Sequence, residues 1–136
     1  MNQLIQNKKP VEELNQLSGI IISAAIEVHK ELGPGLLESV YEYCLFEELR
    51  NRGLEVRKQV LLPVIYKGRI LEKTFVLDFL VDDEIIIELK AIEALLPVHE
   101  VQLVTYLRLA DKKLGLLINF NVPRLVEGIR RKVNNL

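Results

Sequence analysis

The sequence lacks the residues and segments that would place it in several common classes of protein. Its single cysteine, Cys44, excludes an internal disulfide and a cysteine-based zinc cluster, so we expect a reducing, cytoplasmic environment. No apolar run reaches the roughly 20 residues that cross a bilayer, and residues 1–10 lack the apolar core of a secretory signal. A glycine-rich phosphate loop, a serine nucleophile elbow and zinc-ligand spacing are also missing.

The chain also lacks a basic excess, since its net charge is −1. Proteins that hold nucleic acid by charge alone usually carry a strong positive charge. Basic side chains are concentrated only locally, between residues 50 and 73 and between residues 124 and 132. Taken alone, this pattern favours a solvated surface of mixed charge over a nucleic-acid contact. With 136 residues, 49% of them hydrophobic, we expect one domain, residues 1–136, with a substantial core.

Hydrophobic periodicity predicts an α/β fold. Apolar residues at three- and four-residue steps, together with proline and glycine breaks, predict helices at Val11–Leu32, Leu36–Arg52, Pro97–Ala110 and Val122–Val133. Alternating or continuous apolar runs predict strands at Glu55–Tyr66, Arg69–Val81, Glu84–Ala91 and Leu114–Phe120. This order predicts a mixed four-stranded sheet flanked by helices, with an extra N-terminal helix.

Three charged residues, Asp78, Glu88 and Lys90, interrupt otherwise apolar strands. Glu88 and Lys90 are two apart on one strand and therefore share a face. Whether Asp78 joins them depends on the intervening turn, because a two-residue loop would point Asp78 away. A three-residue loop, 82–84, would place Asp78 directly opposite Glu88, with Cβ atoms about 5 Å apart.

Two carboxylates at that distance repel each other unless a proton or a metal ion intervenes. Their hard oxygen atoms favour Mg²⁺ or Mn²⁺, which could activate water and neutralise charge on a scissile phosphate. Lys90 could orient that water or stabilise the developing charge. The alternative is an ordinary Glu–Lys pair on a solvent-facing strand. The apolar flanks, residues 75–77 and 85–87, argue against that alternative.

The spacing of Asp78 from Glu88-Leu89-Lys90 resembles the signature of the PD-(D/E)XK nuclease superfamily, although Leu77 stands where the literal motif has proline. Residues 35–41, GLLESVY, match the pattern GxxExxY, and the chain resembles the small GxxExxY family of that superfamily over residues 20–120. This resemblance implies a PD-(D/E)XK (restriction-endonuclease-like) core. It also implies catalytic roles for Asp78, Glu88, Lys90 and Glu38, and metal ligation by Asp78, Glu88, Glu38 and the main-chain carbonyl of Leu89.

Further residues are candidates for the cleft beside this site. Gln102 and Tyr106 share a helix face and resemble the QxxxY motif of exonuclease-like branches of the superfamily. The alternative for this pair is a polar edge beside the core stripe. Tyr41 could contact the site or simply pack. His99 and His29 are weaker candidates, since a histidine is more often a surface or packed residue than a ligand.

The resulting hypothesis is a Mg²⁺- or Mn²⁺-dependent nuclease-like enzyme that hydrolyses phosphodiester bonds in nucleic acid, with DNA favoured as the substrate and RNA as the alternative. The main alternative is a catalytically silent module that binds nucleic acid or protein on the same fold. A plain oligomerisation domain is a third reading, and the sequence leaves a homodimer open. No membrane association is expected.

Overall fold

The computed structural model describes residues 9–136, so most of the segment tested above for a secretory signal lies outside the described residues. In chain order the elements are helix α1 (Val11–Leu32), helix α2 (Glu38–Asn51), strands β1 (Val56–Tyr66), β2 (Arg69–Val81) and β3 (Ile85–Lys90), helix α3 (Pro97–Ala110), strand β4 (Leu114–Asn119), a 3-10 helix (Leu125–Gly128) and strand β5 (Ile129–Val133). None of the helices within this range combines the length and the apolar character that crossing a membrane requires.

Helix α1 forms where the apolar period predicts it. Its 22 residues bury a stripe that includes Leu14, Leu17, Ile21 and Val28. The helix ends at Gly33, whose φ of 71° lies in a region that side chains with a Cβ rarely adopt. The Gly-Pro-Gly turn then redirects the chain into α2, so that the two helices pack side by side over the sheet.

The five strands form one mixed sheet in the order β1-β2-β3-β4-β5. The pairing of β3 with β4 is parallel and the other pairings are antiparallel. Helix α3 makes the crossover between the two parallel strands, as such a connection requires. Helices α1 and α2 cover one face of the sheet, and α3 packs against the other face. This arrangement confirms the mixed α/β fold with flanking helices.

The prediction of a four-stranded sheet and a final helix over Val122–Val133 is wrong. Only Leu125–Gly128 is helical, as a short 3-10 turn, and Ile129–Val133 forms a fifth strand beside β4. All six residues of β4 are buried, and its main chain needs partners on both edges. Strand β5 supplies the second partner, and Lys132 anchors it to α3 through an ion pair of 2.6 Å with Glu100.

Two turns set the geometry of β1, β2 and β3. Lys67 and Gly68 join β1 to β2 with φ values of 50° and 76°, the left-handed pair that favours a tight hairpin. Between β2 and β3, the pairs Val81–Ile85, Leu80–Ile86 and Phe79–Ile87 leave a three-residue loop at 82–84. The loop length required to bring Asp78 opposite Glu88 is therefore confirmed.

Candidate active site

The backbone ladder between β2 and β3 stops at Phe79–Ile87, one position before Asp78 and Glu88. Beyond that position the two carboxylates connect the strands in place of backbone hydrogen bonds. The Asp78 main-chain N–H donates to Glu88 Oε2 at 2.9 Å, and the Leu89 main-chain N–H donates to Asp78 Oδ2 at 2.8 Å. The strands thus separate while their carboxyl groups remain fixed on each other's backbone.

Asp78 also lies at the point in β2 where the side chains change the face of the sheet on which they pack. Phe79 packs in the core beneath α1 and α2, whereas Leu77, two residues away, packs in the core beneath α3. Strict alternation would put both residues on one face. Opposite Asp78, Gln59 has a left-handed φ of 53° and is skipped in the β1–β2 register. This local irregularity sets Asp78 apart from the regular alternation on either side of it.

Burial raises the pKa of both carboxyl groups, and neighbouring negative charges raise it further. Burial raises the pKa of Asp78 to about 6, against the opposing effect of the hydrogen bond from Leu89. Burial and the negative charge of Asp78 raise the pKa of Glu88 to about 8. Glu88 is only 7% exposed. The pair therefore resists carrying two negative charges unless a positive charge lies nearby.

Lys90 supplies part of that positive charge. Its ammonium group lowers the pKa of both Asp78 and Glu88, opposing the effect of burial. The end of its strand is held firmly: Phe120 N–H donates to Lys90 O at 2.9 Å, and the buried Asn119 bonds to both main-chain groups of Ile92 at 3.0 Å. Asn119 was missed by the sequence analysis, although a lone polar residue ending an apolar strand is a usable signal.

Two acidic residues of helix α2 also raise pKa values within the pair. The negative charge of Glu38 raises the pKa values of both Asp78 and Glu88. Glu42, one helical turn later, also raises the pKa of Asp78, and its Oε2 accepts a hydrogen bond of 2.8 Å from Gln59 Nε2. Glu42 was not among the predicted residues. Its four-residue spacing from Glu38 was the available signal.

Tyr106 approaches the acids from the α3 side. Burial raises its pKa, and the charges of Glu88 and Asp78 raise it further. The ring packs on Phe75 with centroids 5.2 Å apart, and only 5% of the residue is exposed. Gln102, one turn before it on α3, is exposed. The structure thus brings Tyr106 within electrostatic range of the acids and leaves Gln102 at the surface of the same helix.

The structure does not bring Tyr41 or His29 to this site as cleft residues. Tyr41 is fully buried and stacks on Phe120 at 4.6 Å, and its hydroxyl donates to the Gly33 carbonyl. Tyr41 therefore fastens the turn that precedes Glu38. His29 is buried with Nε2 at 2.8 Å from the Val122 carbonyl, which ties α1 to the chain after β4.

His99 has a local structural role at the start of α3. Its Nδ1 accepts a hydrogen bond of 2.9 Å from the Leu96 main-chain N–H. This contact caps a helix whose first residue is Pro97. The imidazole nitrogen used in the cap is not free to act as a ligand.

The donor atoms of the pair suit a hard divalent cation. Asp78 and Glu88 present carboxylate oxygens, and a cation would relieve the repulsion that raises their pKa values. Across residues 9–136, however, no group of three or more His, Cys, Asp or Glu side chains is arranged to hold a metal ion. Glu38 is thus not placed as a third side-chain ligand. An ion here would be held by two carboxylates together with main-chain or water oxygens.

The fold and site define an α/β protein with a carboxylate pair, one member half-buried and one buried, and a lysine at the end of a mixed sheet. The sequence matches the family model of the PD-(D/E)XK nuclease superfamily over residues 15–132. Because the match covers most of the chain, the protein belongs to that superfamily. Membership indicates a nuclease-like function and binding of nucleic acid, and these nucleases typically use divalent metal ions. No curated protein and no solved structure matches the chain.

Proposed function

We propose that the protein is a single-domain nuclease of the GxxExxY type that hydrolyses phosphodiester bonds in DNA with Mg²⁺ or Mn²⁺. The observation that carries the proposal is the reciprocal contact of Asp78 and Glu88, which holds a half-buried and a buried carboxyl group together beside Lys90. Buried charges of one sign cost stability, so their presence on adjacent strands favours a functional role.

In this proposal Asp78 and Glu88 hold the ion together with the main-chain carbonyl of Leu89. Glu38, at the first residue of α2, reaches it through water, since its side chain is not placed as a third ligand. The bound ion would supply Lewis acidity toward the phosphate and toward a water molecule.

Lys90 has the role of a cationic group beside the reacting phosphate. Its positive charge acts on both carboxylates across the site, and this supports a role beside the negative charge that would develop on the phosphate. An ammonium group there stabilises the transition state or orients the attacking water. Gln102 would contact the substrate from the exposed surface of α3, and Tyr106 would support the acids from beneath.

A catalytically silent module is the second candidate, and two observations favour it. One oxygen of each carboxylate already accepts a main-chain hydrogen bond, so the pair has a structural role without any metal. The net charge of −1 also gives the chain no general attraction for nucleic acid. In that case the role of Asp78 and Glu88 would be to join β2 to β3.

Paired activity and stability measurements separate the two candidates. Wild type should cleave supercoiled, linear or branched DNA with Mg²⁺ or Mn²⁺ and not with EDTA, and Lys90→Ala should abolish cleavage while it keeps the fold. Lys30→Ala removes the same charge from an exposed position on α1 and should cleave like wild type. Parallel reactions with RNA of the same sequence test the preference for DNA.

Thermal melts complete the test. Mn²⁺ should raise the melting temperature of wild type by ligand linkage and leave that of Asp78→Asn unchanged. If wild type shows neither cleavage nor a metal-dependent melting shift, the silent-module function replaces the nuclease function.

A further inference from the structure

The β1–β2 hairpin extends well past the rest of the sheet. Strands β1 and β2 contain 11 and 13 residues, whereas β3 contains 6. Strand β2 pairs with β3 only through residues 79–81. Among the described residues, segments 60–66 and 69–77 therefore form a ribbon of two strands with no third strand beside it. We call residues 60–77 the hairpin arm.

The arm is attached to the candidate site at its base and exposed at its tip. Near the base, Leu62 and Leu77 pack beneath α3, and Phe75 contacts Tyr106. The negative charges of Asp78 and Glu88 in turn raise the pKa of Tyr106. Toward the tip the side chains are open to solvent: Tyr66 is 61% exposed and Ile70 is 73% exposed. A bare two-stranded ribbon is only marginally stable in water, so a partner would stabilise this one.

The charge of the hairpin differs from that of the whole chain. Residues 56–77, which comprise the hairpin arm and the start of β1, carry five basic side chains and one acidic side chain, for a formal charge of +4. The arm alone, residues 60–77, carries three basic side chains and one acidic side chain, for a formal charge of +2, while the chain carries −1. The five basic residues are Arg57, Lys58, Lys67, Arg69 and Lys73. No acidic side chain in the described part of the chain forms an ion pair with any of them. Their charge is therefore available to a negatively charged partner.

We infer that the hairpin arm binds the sugar–phosphate backbone of the same DNA duplex whose cleavage is proposed above, several base pairs away from the acids. This inference rests on the proposed function. At about 3.4 Å per residue, Arg69 lies roughly 30 Å along the strand from Asp78, which corresponds to about nine base pairs. A two-stranded ribbon fits the major groove of B-form DNA, whereas the deep, narrow major groove of A-form RNA excludes it.

The local basic excess also accounts for how a chain of net charge −1 could hold DNA. The acids at the site repel phosphates at long range, and a positively charged arm beside them would offset this repulsion. Tyr66 adds an exposed aromatic ring with the Lys67 ammonium 5.5 Å from its centroid. The tip thus combines a flat apolar surface with positive charge, as nucleic-acid contacts often do.

Binding of a fluorescent 24-base-pair DNA duplex tests the arm. The measurements use the Lys90→Ala background, so that the duplex stays intact, and compare Arg69→Ala/Lys73→Ala with the matched control Lys30→Ala/Arg124→Ala. Both double variants remove two exposed positive charges. The arm variant should bind at least about tenfold more weakly at 0.1 M salt, with a salt dependence reduced by about two phosphate contacts. The control should stay within about twofold of its parent, by the same rule for charges that touch no phosphate.

Probe length and probe type sharpen the result. A duplex of about eight base pairs is too short to span from the acids to Arg69 but still reaches Lys73, roughly 17 Å along the strand from Asp78. With this duplex the arm variant should lose less affinity than with the 24-base-pair duplex, because only the contact of Lys73 is removed. An RNA duplex of 24 base pairs should bind more weakly than DNA and respond less to the arm substitutions.

Three results would overturn the inference. The first is equal binding by the arm variant and the control, and the second is no binding of the 24-base-pair duplex by the parent. The third is unchanged DNA binding with a shift in oligomeric state by light scattering, which would make the arm an interface between two copies of the chain. Failure of the proposed function is seen separately, as arm-dependent binding by a wild-type protein that cleaves nothing.

Discussion

Asp78 and Glu88 each accept a hydrogen bond from the main chain of the other's strand, at 2.8 Å from Leu89 N–H and 2.9 Å from Asp78 N–H. This reciprocal contact replaces the backbone ladder where β2 and β3 separate. The same side chains therefore have two opposite effects on stability: their acceptor oxygens join the strands, and their buried charges repel.

Amide and alanine substitutions at Asp78 separate these two effects. Asp78→Asn keeps an oxygen for the Leu89 N–H and removes the charge, so the free energy of unfolding without metal should hold or rise at pH 7. Asp78→Ala leaves that N–H without its acceptor, which should make it less stable than Asp78→Asn by about 1–3 kcal/mol. Urea denaturation in EDTA measures both values.

The exposed Glu47 of α2 provides the control, since Glu47→Gln and Glu47→Ala should differ little in stability. Equal stability of Asp78→Asn and Asp78→Ala would contradict a structural role for the Asp78 oxygen.

The core of this site could be predicted because it depends on strand parity. Glu88 and Lys90 share a face whatever the loop, and the 82–84 loop fixes which residue lies opposite Glu88. Gln59 could not be predicted, because no local pattern announces a left-handed residue inside a strand. For Tyr41 the sequence left both the cleft and the core open, because a motif reveals spacing and does not distinguish a ring in the cleft from a ring stacked on Phe120.

The fifth strand shows the other limit of sequence reasoning. Ile129–Val133 is too short for a distinct period, and its strand conformation follows from the unpaired edge of the buried β4. That requirement is tertiary and overrides local preference. The backbone also has to pass close to β4 at Gly128, where a Cβ would lie 2.2 Å from the Asn119 carbonyl oxygen.

Stability without metal should depend on pH in a specific direction. Folding raises the pKa of Asp78 from 3.8 to about 6 and that of Glu88 from 4.5 to about 8. The folded state therefore binds more protons over this interval, and the free energy of unfolding falls as pH rises from about 4 to about 8. Each unit of pKa difference corresponds to about 1.4 kcal/mol.

The double variant Asp78→Asn/Glu88→Gln isolates this effect, because neither amide titrates. Denaturation curves in EDTA at several pH values between 4.5 and 8.5 should show a steeper loss of stability for wild type than for the double variant. Parallel curves for the two proteins would contradict the raised pKa values.

Tyr41 should stabilise the turn before Glu38 and take no part in chemistry. Its hydroxyl donates to Gly33 O and accepts from Leu36 N–H at 3.2 Å, while its ring is buried against Phe120. Tyr41→Phe keeps the ring and removes both hydrogen bonds, so we expect a loss of about 1–2 kcal/mol in the free energy of unfolding.

Tyr43, which is 65% exposed on the same helix, provides the matched control, and Tyr43→Phe should leave stability unchanged. Any cleavage activity of Tyr41→Phe should persist at temperatures well below its melting point. Abolished cleavage in a fully folded Tyr41→Phe would return Tyr41 to the catalytic machinery.

Glu42 and Glu38 should affect the pKa values of the acids differently, because Glu42 acts on one member of the pair and Glu38 acts on both. The charge of Glu42 raises the pKa of Asp78, whereas the charge of Glu38 raises the pKa values of both Asp78 and Glu88. Glu42→Gln should therefore lower the pKa of Asp78 alone, and Glu38→Gln should lower both. Carboxyl-carbon NMR titration of the metal-free protein measures each group separately, with Glu47→Gln as the control for loss of a distant charge on the same helix.

The amide oxygen introduced by Glu42→Gln can still accept the hydrogen bond from Gln59, so a shift in the pKa of Asp78 reports the charge and not a broken contact. If the pKa of Asp78 is unchanged in both variants, burial alone raises that pKa. Helix α2 would then have no electrostatic effect on the site.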